Sequence, residues 1–462
     1  MASAPEKYDL VVVGGGKAGK SLAMLRAKTG DKVFMVERDK IGGTCINVAC
    51  IPTKTLVSSA RRLVEVRTAA SYGVDLPGAD LASARVDLQA LRARKESVVG
   101  GMVEAHKRMF AAPGLDFVLG TAKFVGPKTV EATLADGSVR VVEGERVLIN
   151  TGTTPAIPPI EGLGDVAYWT SEDALRLTEI PDRLVILGGG VIGVEMASMM
   201  AAFGANVTLI EGGEHILARE DADVAEEMAA NLAAQGVTVR TGERAMRVSS
   251  DGEGVVVHTT AGEVVGTRLL VALGRAPVTK GLGLEAAGVE LTERGFVHVD
   301  DHLRTTAEGV YAAGDVAGTP QFTHASWNDF RVLRDLFAGK EASTSGRLIP
   351  WAVFTTPELG HVGLTEAEAR QAGYEVRVAK TSMAAVPRAR TLGRTEGFFK
   401  IIIDARTDLI LGAAIIGAEA SEVVTSIQMA MLGGLTWQQV RDAVITHPTM
   451  GEGLNIVLDS LG

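Results

Sequence analysis

Two cysteines stand in this 462-residue chain, five positions apart, at Cys45 and Cys50. So sparse a set is no disulfide scaffold, and it makes no four-ligand zinc site without two recruited histidines, so the chemistry it offers is the making and breaking of one S–S bond. In an ideal helix, residues i and i+5 have Cα atoms roughly 8–9 Å apart, beyond the ~7 Å a disulfide spans. The first turn of a helix carrying this pair therefore has to be distorted for the two to bond. Gly42-Gly43 before the pair and Pro52 within the helix, which lacks an N–H, supply the means. A bond held this way is readily reduced, which suits catalysis better than structure.

A second chemistry is written twice. Residues 8–37, YDLVVVGGGKAGKSLAMLRAKTGDKVFMVE, and residues 182–211, DRLVILGGGVIGVEMASMMAAFGANVTLIE, each give an apolar strand, a Gly-x-Gly-x-x-Gly turn, a helix, a second apolar strand and a closing glutamate. The first glycine and the glutamate are 23 residues apart in both copies, Gly14 to Glu37 and Gly188 to Glu211. Gly14 and Gly188 permit the tight turn, Gly16 and Gly190 let backbone approach a pyrophosphate, and Gly19 and Gly193 let helix pack on strand. The phosphates then sit at the helix N-terminus, and Glu37 and Glu211 accept from adenosine ribose hydroxyls. The spacing predicts two dinucleotide-binding βαβ units.

These units need a frame. Lys+Arg 46 against Asp+Glu 56 gives a net charge of −10 spread along the chain, which argues against nucleic-acid or anionic-membrane partners. The N-terminus has no signal-like pattern and no apolar run approaches the ~20 residues of a membrane span, so a cytoplasmic location is expected. Length predicts about three domains. Residues 60–110 read as a charged helical excursion from the first unit and 116–150 as strands. Pro155, Pro158 and Pro159 mark a linker, and the second unit ends near LLVALGRAP at 269–277. The last domain, with strands FFKIII and LILGAAII, begins near WAVFTTPELGHVG.

With GGGKAG at 14–19, GGTCINVACIPTK at 42–54, AAGDVAG at 312–318 and THPTMGEG at 446–453 in that order, the chain resembles the pyridine nucleotide-disulfide oxidoreductases over essentially its whole length. The resemblance implies an α/β fold with two Rossmann-like dinucleotide-binding domains, for FAD and NAD, and a C-terminal α+β dimerisation domain. Boundaries are expected at 1–154 (FAD domain with the cysteine pair), 155–276 (NAD(P)H domain), 277–345 (return to the FAD domain) and 346–462 (interface). It implies a homodimer passing electrons from NAD(P)H through FAD to the Cys45–Cys50 disulfide and on to a small oxidised substrate. Cys45 is then the interchange thiol and Cys50 the charge-transfer thiol. Lys54 pairs with Glu195 beside the flavin, and Asp315 holds the ribityl chain. His447, oriented by Glu452, is the acid–base of the partner subunit. Gly43, Thr44, Thr151 and Gly152 join the FAD set, and Gly274 the NAD set. No metal site is indicated.

Departures within the family narrow the expectation. No cysteine follows Cys50, unlike the terminal pair of mercuric reductases. No arginine stands between Glu211 and Arg219, which favours NADH. Thr446 replaces the second histidine usual in dihydrolipoamide dehydrogenases, which also usually lack Lys17 and Lys20. GKAGKSLA, CIPTKTLV, QFTHASWNDFRVLRD and AVPRAR are similar to the reactive-chlorine-resistance flavoproteins, which reduce hypothiocyanous acid and for which Cu(II) reduction is also proposed. Ala49 replaces the usual glycine before the second cysteine; a positive φ there would strain it and a helical one would not. A dihydrolipoamide dehydrogenase, a biosynthetic flavin oxidoreductase and a redox-silent dinucleotide-binding subunit remain open.

Overall fold

The computed structural model describes residues 4–250 and 252–461. The run Leu10–Val13 carries no polar residue and is buried throughout, as a strand flanked by parallel neighbours and covered on both faces requires. It belongs to β1 (Glu6–Val13), which with β2 (Val33–Glu37), β3 (Leu115–Gly126), β4 (Thr129–Leu134) and β5 (Val139–Ile149) forms the first sheet. β1 lies parallel to β2 and β5, β3 lies parallel to β2, and β4 joins β3 to β5 antiparallel. The strand Val310–Ala312 pairs parallel with β5 and adds a sixth strand to this sheet. Helix α1 (Lys17–Lys28) crosses from β1 to β2, followed by α2 (Thr44–Val48), α3 (Cys50–Arg67) and α4 (Leu88–Phe110).

Contacts divide the chain into two units. Unit 1 holds residues 1–55, 92–156 and 275–347; unit 2 holds 56–91, 157–274 and 348–462. Residues 56–91 thus depart from the expectation that all of 1–154 forms one domain. The reason is apolar: Leu56, Val57, Ala60, Leu63 and Leu91 are buried in one cluster with Met196, Met199 and Met200. Unit 2 contains a parallel sheet ordered 238–240, 206–210, 183–187, 268–271, 168–169. The helix Val191–Phe203 follows its central strand. Unit 2 also contains an antiparallel five-stranded sheet, 351–353, 358–363, 410–417, 398–404, 376–382, whose core includes Phe399, Ile401 and Ile415. No helix among the described residues is long and apolar enough to cross a membrane.

One buried carboxylate fixes the end of unit 1's sheet. Asp329, in the helix Thr323–Phe337, is fully buried, accepts from Gly314 N at 2.7 Å and Thr319 Oγ1 at 2.8 Å, and pairs with Arg347. It thereby holds the loop carrying Asp315, which opens a 3-10 turn rather than continuing the strand-like run. Removing one partner of a buried pair leaves an uncompensated charge. Arg347→Met is expected to cost about 3 kcal/mol, read as a lower urea midpoint of near-UV circular dichroism. An unchanged midpoint would show that the Asp329 carboxylate is satisfied without it.

Candidate active site

The cysteines are placed by a turn that only glycine makes easily. Gly42 and Gly43 have φ of +92° and +81°, and Gly43 N donates to Lys40 O at 2.7 Å. A Cβ on Gly43 would lie 3.1 Å from Gly16 Cα and 3.2 Å from Gly15 O, so this turn packs directly on the first glycine loop. From it rises α2, which contains Cys45 and stops at Val48. Ala49 breaks the helix with φ −142° and ψ −104°, and α3 restarts at Cys50. The distortion that the five-residue spacing demands is this break. Ala49 is thus neither at positive φ nor helical. Thr53 ties the restart down, its N–H and hydroxyl both donating to Ala49 O, at 3.0 and 2.6 Å.

Cys45 and Cys50 are two half-buried thiols in hydrogen-bond contact. That shared hydrogen bond is the largest influence on both, pulling Cys50 down to about 6 and pushing Cys45 well above the ordinary thiol value. Burial opposes the Cys50 thiolate, whereas Thr323 Oγ1, 3.4 Å from its sulfur, and the Lys54 ammonium one turn along α3 favour it. Within the pair, the surroundings favour the anion on Cys50 over Cys45.

Against the first glycine of the loop lies a cavity of about 270 Å³ lined by Gly14, Glu37, Arg38, Thr121, Thr151 and Lys280. Gly14 has φ +98°, and a Cβ there would sit 2.5 Å from Asn150 O. A Cβ on Gly19 would meet Gly14 O at 2.7 Å, the close helix–strand approach expected of a third glycine. Gly16 has a different reason: its missing Cβ makes room for Asn150 Oδ1 at 2.5 Å. Glu37 accepts from the N–H of Gly15 (2.7 Å), Asp39 (3.0 Å) and Lys40 (3.1 Å), so within the chain it braces its own loop. Thr151 donates to Val278 O, Gly152 holds φ +70°, and Thr44 begins α2. Asp315 is deeply buried, which raises its carboxyl, and it accepts from Thr153 Oγ1 at 2.7 Å. An open glycine cradle, a strand-end carboxylate and an adjoining cavity fit the adenosine end of FAD.

Asn150 is the residue that sequence reasoning missed. Its Oδ1 accepts from Gly19 N at 2.8 Å and its Nδ2 donates to Ala313 O at 2.6 Å, tying the glycine loop to the strand before Asp315. Lys20 and His106 were also missed as partners, being 2.9 Å apart.

Unit 2 repeats the loop. Gly188 has φ +107°, a Cβ on Gly193 would collide with Gly188 O, and Gly190 faces open space. Glu211 accepts from Gly189 N and Gly213 N, each at 2.7 Å. Gly274 sits at φ +118° at the end of the parallel sheet. Arg244 Cγ would lie 3.1 Å from a Cβ on Gly212, which places beside Glu211 an arginine that a scan of the following eight residues could not find. Glu195 is buried and accepts from Phe354 N at 2.9 Å; it lies in unit 2, whereas Lys54 lies in unit 1. His447 Nδ1 is 2.8 Å from Glu452 Oε2, the imidazole largely exposed and the carboxylate buried. A carboxylate can only accept, so the Nδ1 that faces Glu452 is the donor of this contact.

The pyridine nucleotide-disulphide oxidoreductase model matches residues 8–329, and the dimerisation domain of the same family matches 349–457. The probable pyridine nucleotide-disulfide oxidoreductase RclA of Escherichia coli is 38% identical over 455 residues, 97% of this chain and 98% of that one. A dihydrolipoyl dehydrogenase of Thermus scotoductus is 37% identical, over 98% of this chain and 97% of that one. The solved Cu(II) complex of the HOCl-induced flavoprotein disulfide reductase RclA from Escherichia coli superposes with a TM-score of 0.91 at 37% identity, covering 99% of this chain and 100% of that one. The chain belongs to the pyridine nucleotide-disulphide oxidoreductases, enzymes that depend on FAD and use pyridine nucleotides, and it carries their dimerisation domain.

Proposed function

We propose that this chain is a cytoplasmic, homodimeric reductase that carries electrons from NADH to a small oxidant through the Cys45, Cys50 pair. The observation that supports this reading is the hydrogen-bonded thiol pair on a turn packed against a dinucleotide loop. Bound FAD would accept hydride from the nicotinamide and return two electrons to the disulfide. Cys45 then attacks the electrophilic atom of the acceptor. With hypothiocyanous acid, the Cys45 thiolate bonds the sulfur and hydroxide leaves; the Cys50 thiolate then attacks the Cys45 sulfur, thiocyanate leaves, and the disulfide is restored. Such an oxidant, or a metal ion, is favoured by similarity to an HOCl-induced reductase solved with Cu(II) and by the lack of a third cysteine. Lipoamide remains the second reading, carried by the Thermus relative.

Cys45→Ser and Cys50→Ser are each expected to abolish oxidant-dependent NADH consumption. A Cys50→Ser enzyme with wild-type oxidant reduction would leave flavin-only chemistry. Screening hypothiocyanite, lipoamide, disulfides, quinones, Cu(II) and Hg(II) identifies the acceptor, and inertness toward all of them would favour a redox-silent subunit.

Glu211 supports NADH, since a 2′-phosphate would meet its carboxylate. The expected result is a higher kcat/KM for NADH than for NADPH. Equal use of NADPH would give Arg244 the phosphate.

Met429, Leu432 and Val444 are exposed apolar residues in the dimerisation domain, and His447 is exposed with them. In the proposed dimer, His447 of the partner subunit takes the proton from Cys45, with Glu452 fixing the imidazole. His447→Gln is expected to slow oxidant turnover by about 10²–10⁴-fold and leave reduction of the enzyme by NADH nearly intact. A fully active monomer in sedimentation, or a variant impaired only with NADH, would remove His447 from the substrate site.

A further inference from the structure

Lys20 is buried at 3% exposure on α1, yet it pairs with no carboxylate among the described residues. Its ammonium donates to Gly42 O at 2.7 Å and to His106 Nε2 at 2.9 Å. His106 Nδ1 is 2.8 Å from Met102 O, a hydrogen bond that needs the proton on Nδ1, so Nε2 is a neutral acceptor. Both partners are therefore uncharged, and the cluster keeps a net positive charge. Buried lysines are rarely left so, because desolvation of an ammonium is costly. A mere clamp on the Gly42 carbonyl has no need of a cation.

We propose that Lys20, held by His106, is a positioning residue: it fixes the Gly42–Gly43 turn and places a positive charge behind Cys45 that favours the Cys45 thiolate. The clamped carbonyl is three residues before Cys45, and Cys45 is the second residue of the helix that this turn launches. The titratable groups that bear on Lys20 are Lys17 from its own helix, Cys45 from α2 and His106 from α4. Lys17 lies over the Trp327 ring at 4.9 Å, and its repulsion together with burial lowers Lys20 to about 8. Cys45 acts the other way: it favours charged Lys20, and Lys20 favours charged Cys45. His106 is held below its ordinary value by burial and by these two lysines, which keeps it neutral. The proposal rests on Cys45 as the attacking thiol, as read above. It explains why the chain carries a buried lysine on α1, one residue after the third glycine of the loop.

The test uses the FAD-loaded, full-length Cys50→Ser enzyme, in which Cys45 is the only thiol, and follows its alkylation by iodoacetamide against pH. Lys20→Met is expected to raise the midpoint by about one pH unit and to slow alkylation below both midpoints by about three- to tenfold. Lys20→Arg, which keeps the charge, is expected to hold most of the wild-type midpoint. If Lys20→Met does not fold, His106→Leu, which strips the ammonium of an acceptor, is expected to move the midpoint in the same direction, and His106→Gln to restore it. An unmoved midpoint in Lys20→Met, or in His106→Leu where that variant stands in, overturns the proposal, as does an equal shift in Lys20→Met and Lys20→Arg. Alkylation requires no electron acceptor, so this result stands apart from whether the disulfide relay operates.

Discussion

Main chain lies against main chain where Gly43 meets Gly15 and Gly16, and the rest of unit 1's site follows from that contact. No side chain fits between the two turns, so the sequence has glycine on both sides. The contact brings the start of the cysteine helix to the N-terminus of α1, where unpaired N–H groups favour an anion. Asn150 supports the glycine loop from the sheet, and Lys20 supports the cysteine turn from the opposite side. The proposed dinucleotide at that loop and the cysteine pair at that turn would be neighbours because two backbones are.

The helix Thr323–Phe337 joins the electrostatics of the thiols to the geometry of the cofactor loop. Its first residue, Thr323, offers a hydroxyl to Cys50, and Asp329, under two turns further on, holds Gly314 and so Asp315. One rigid element thus sets the hydrogen-bonding environment of the thiolate and the place of a buried carboxyl. Burial opposes both charges. Each is sustained by specific donors, Cys45 and then Thr323 for the thiolate and Thr153 for Asp315, because in low dielectric an unpaired charge is expensive.

What the sequence made legible was local. Glycine spacing, the cysteine interval and the closing glutamates are properties of short segments, and turn chemistry fixes their meaning within a few residues. The unreadable parts are pairings across the chain. Asn150 meets Gly19 from 131 residues away, His106 meets Lys20 from 86, and Thr323 meets Cys50 from 273. None of these carries a local signal: Asn150 reads as the end of a strand and His106 as one face of a charged helix. Arg244 escaped for the same reason, since it reaches Gly212 across the fold rather than along the chain. The grouping of residues 56–91 with unit 2 is equally unreadable, because helical period shows which face is apolar but not which core receives it.

The two glycine loops show how far one pattern can serve different ends. In each, the closing glutamate accepts from the middle glycine's N–H at 2.7 Å through Oε2. The other oxygen diverges, taking Asp39 and Lys40 N–H in one copy and Gly213 N–H in the other. An acidic residue at that place therefore braces its own loop, and the spacing alone does not separate that role from an offer of lone pairs to a ribose. The second glycines diverge further: Gly16 yields to Asn150, whereas Gly190 faces open space. In unit 1 the loop is locked from beneath by a side chain of the sheet, which would suit the resident FAD of the proposed function. In unit 2 no described residue takes the same place, which would suit the NADH of that proposal, a nucleotide that leaves at every turnover.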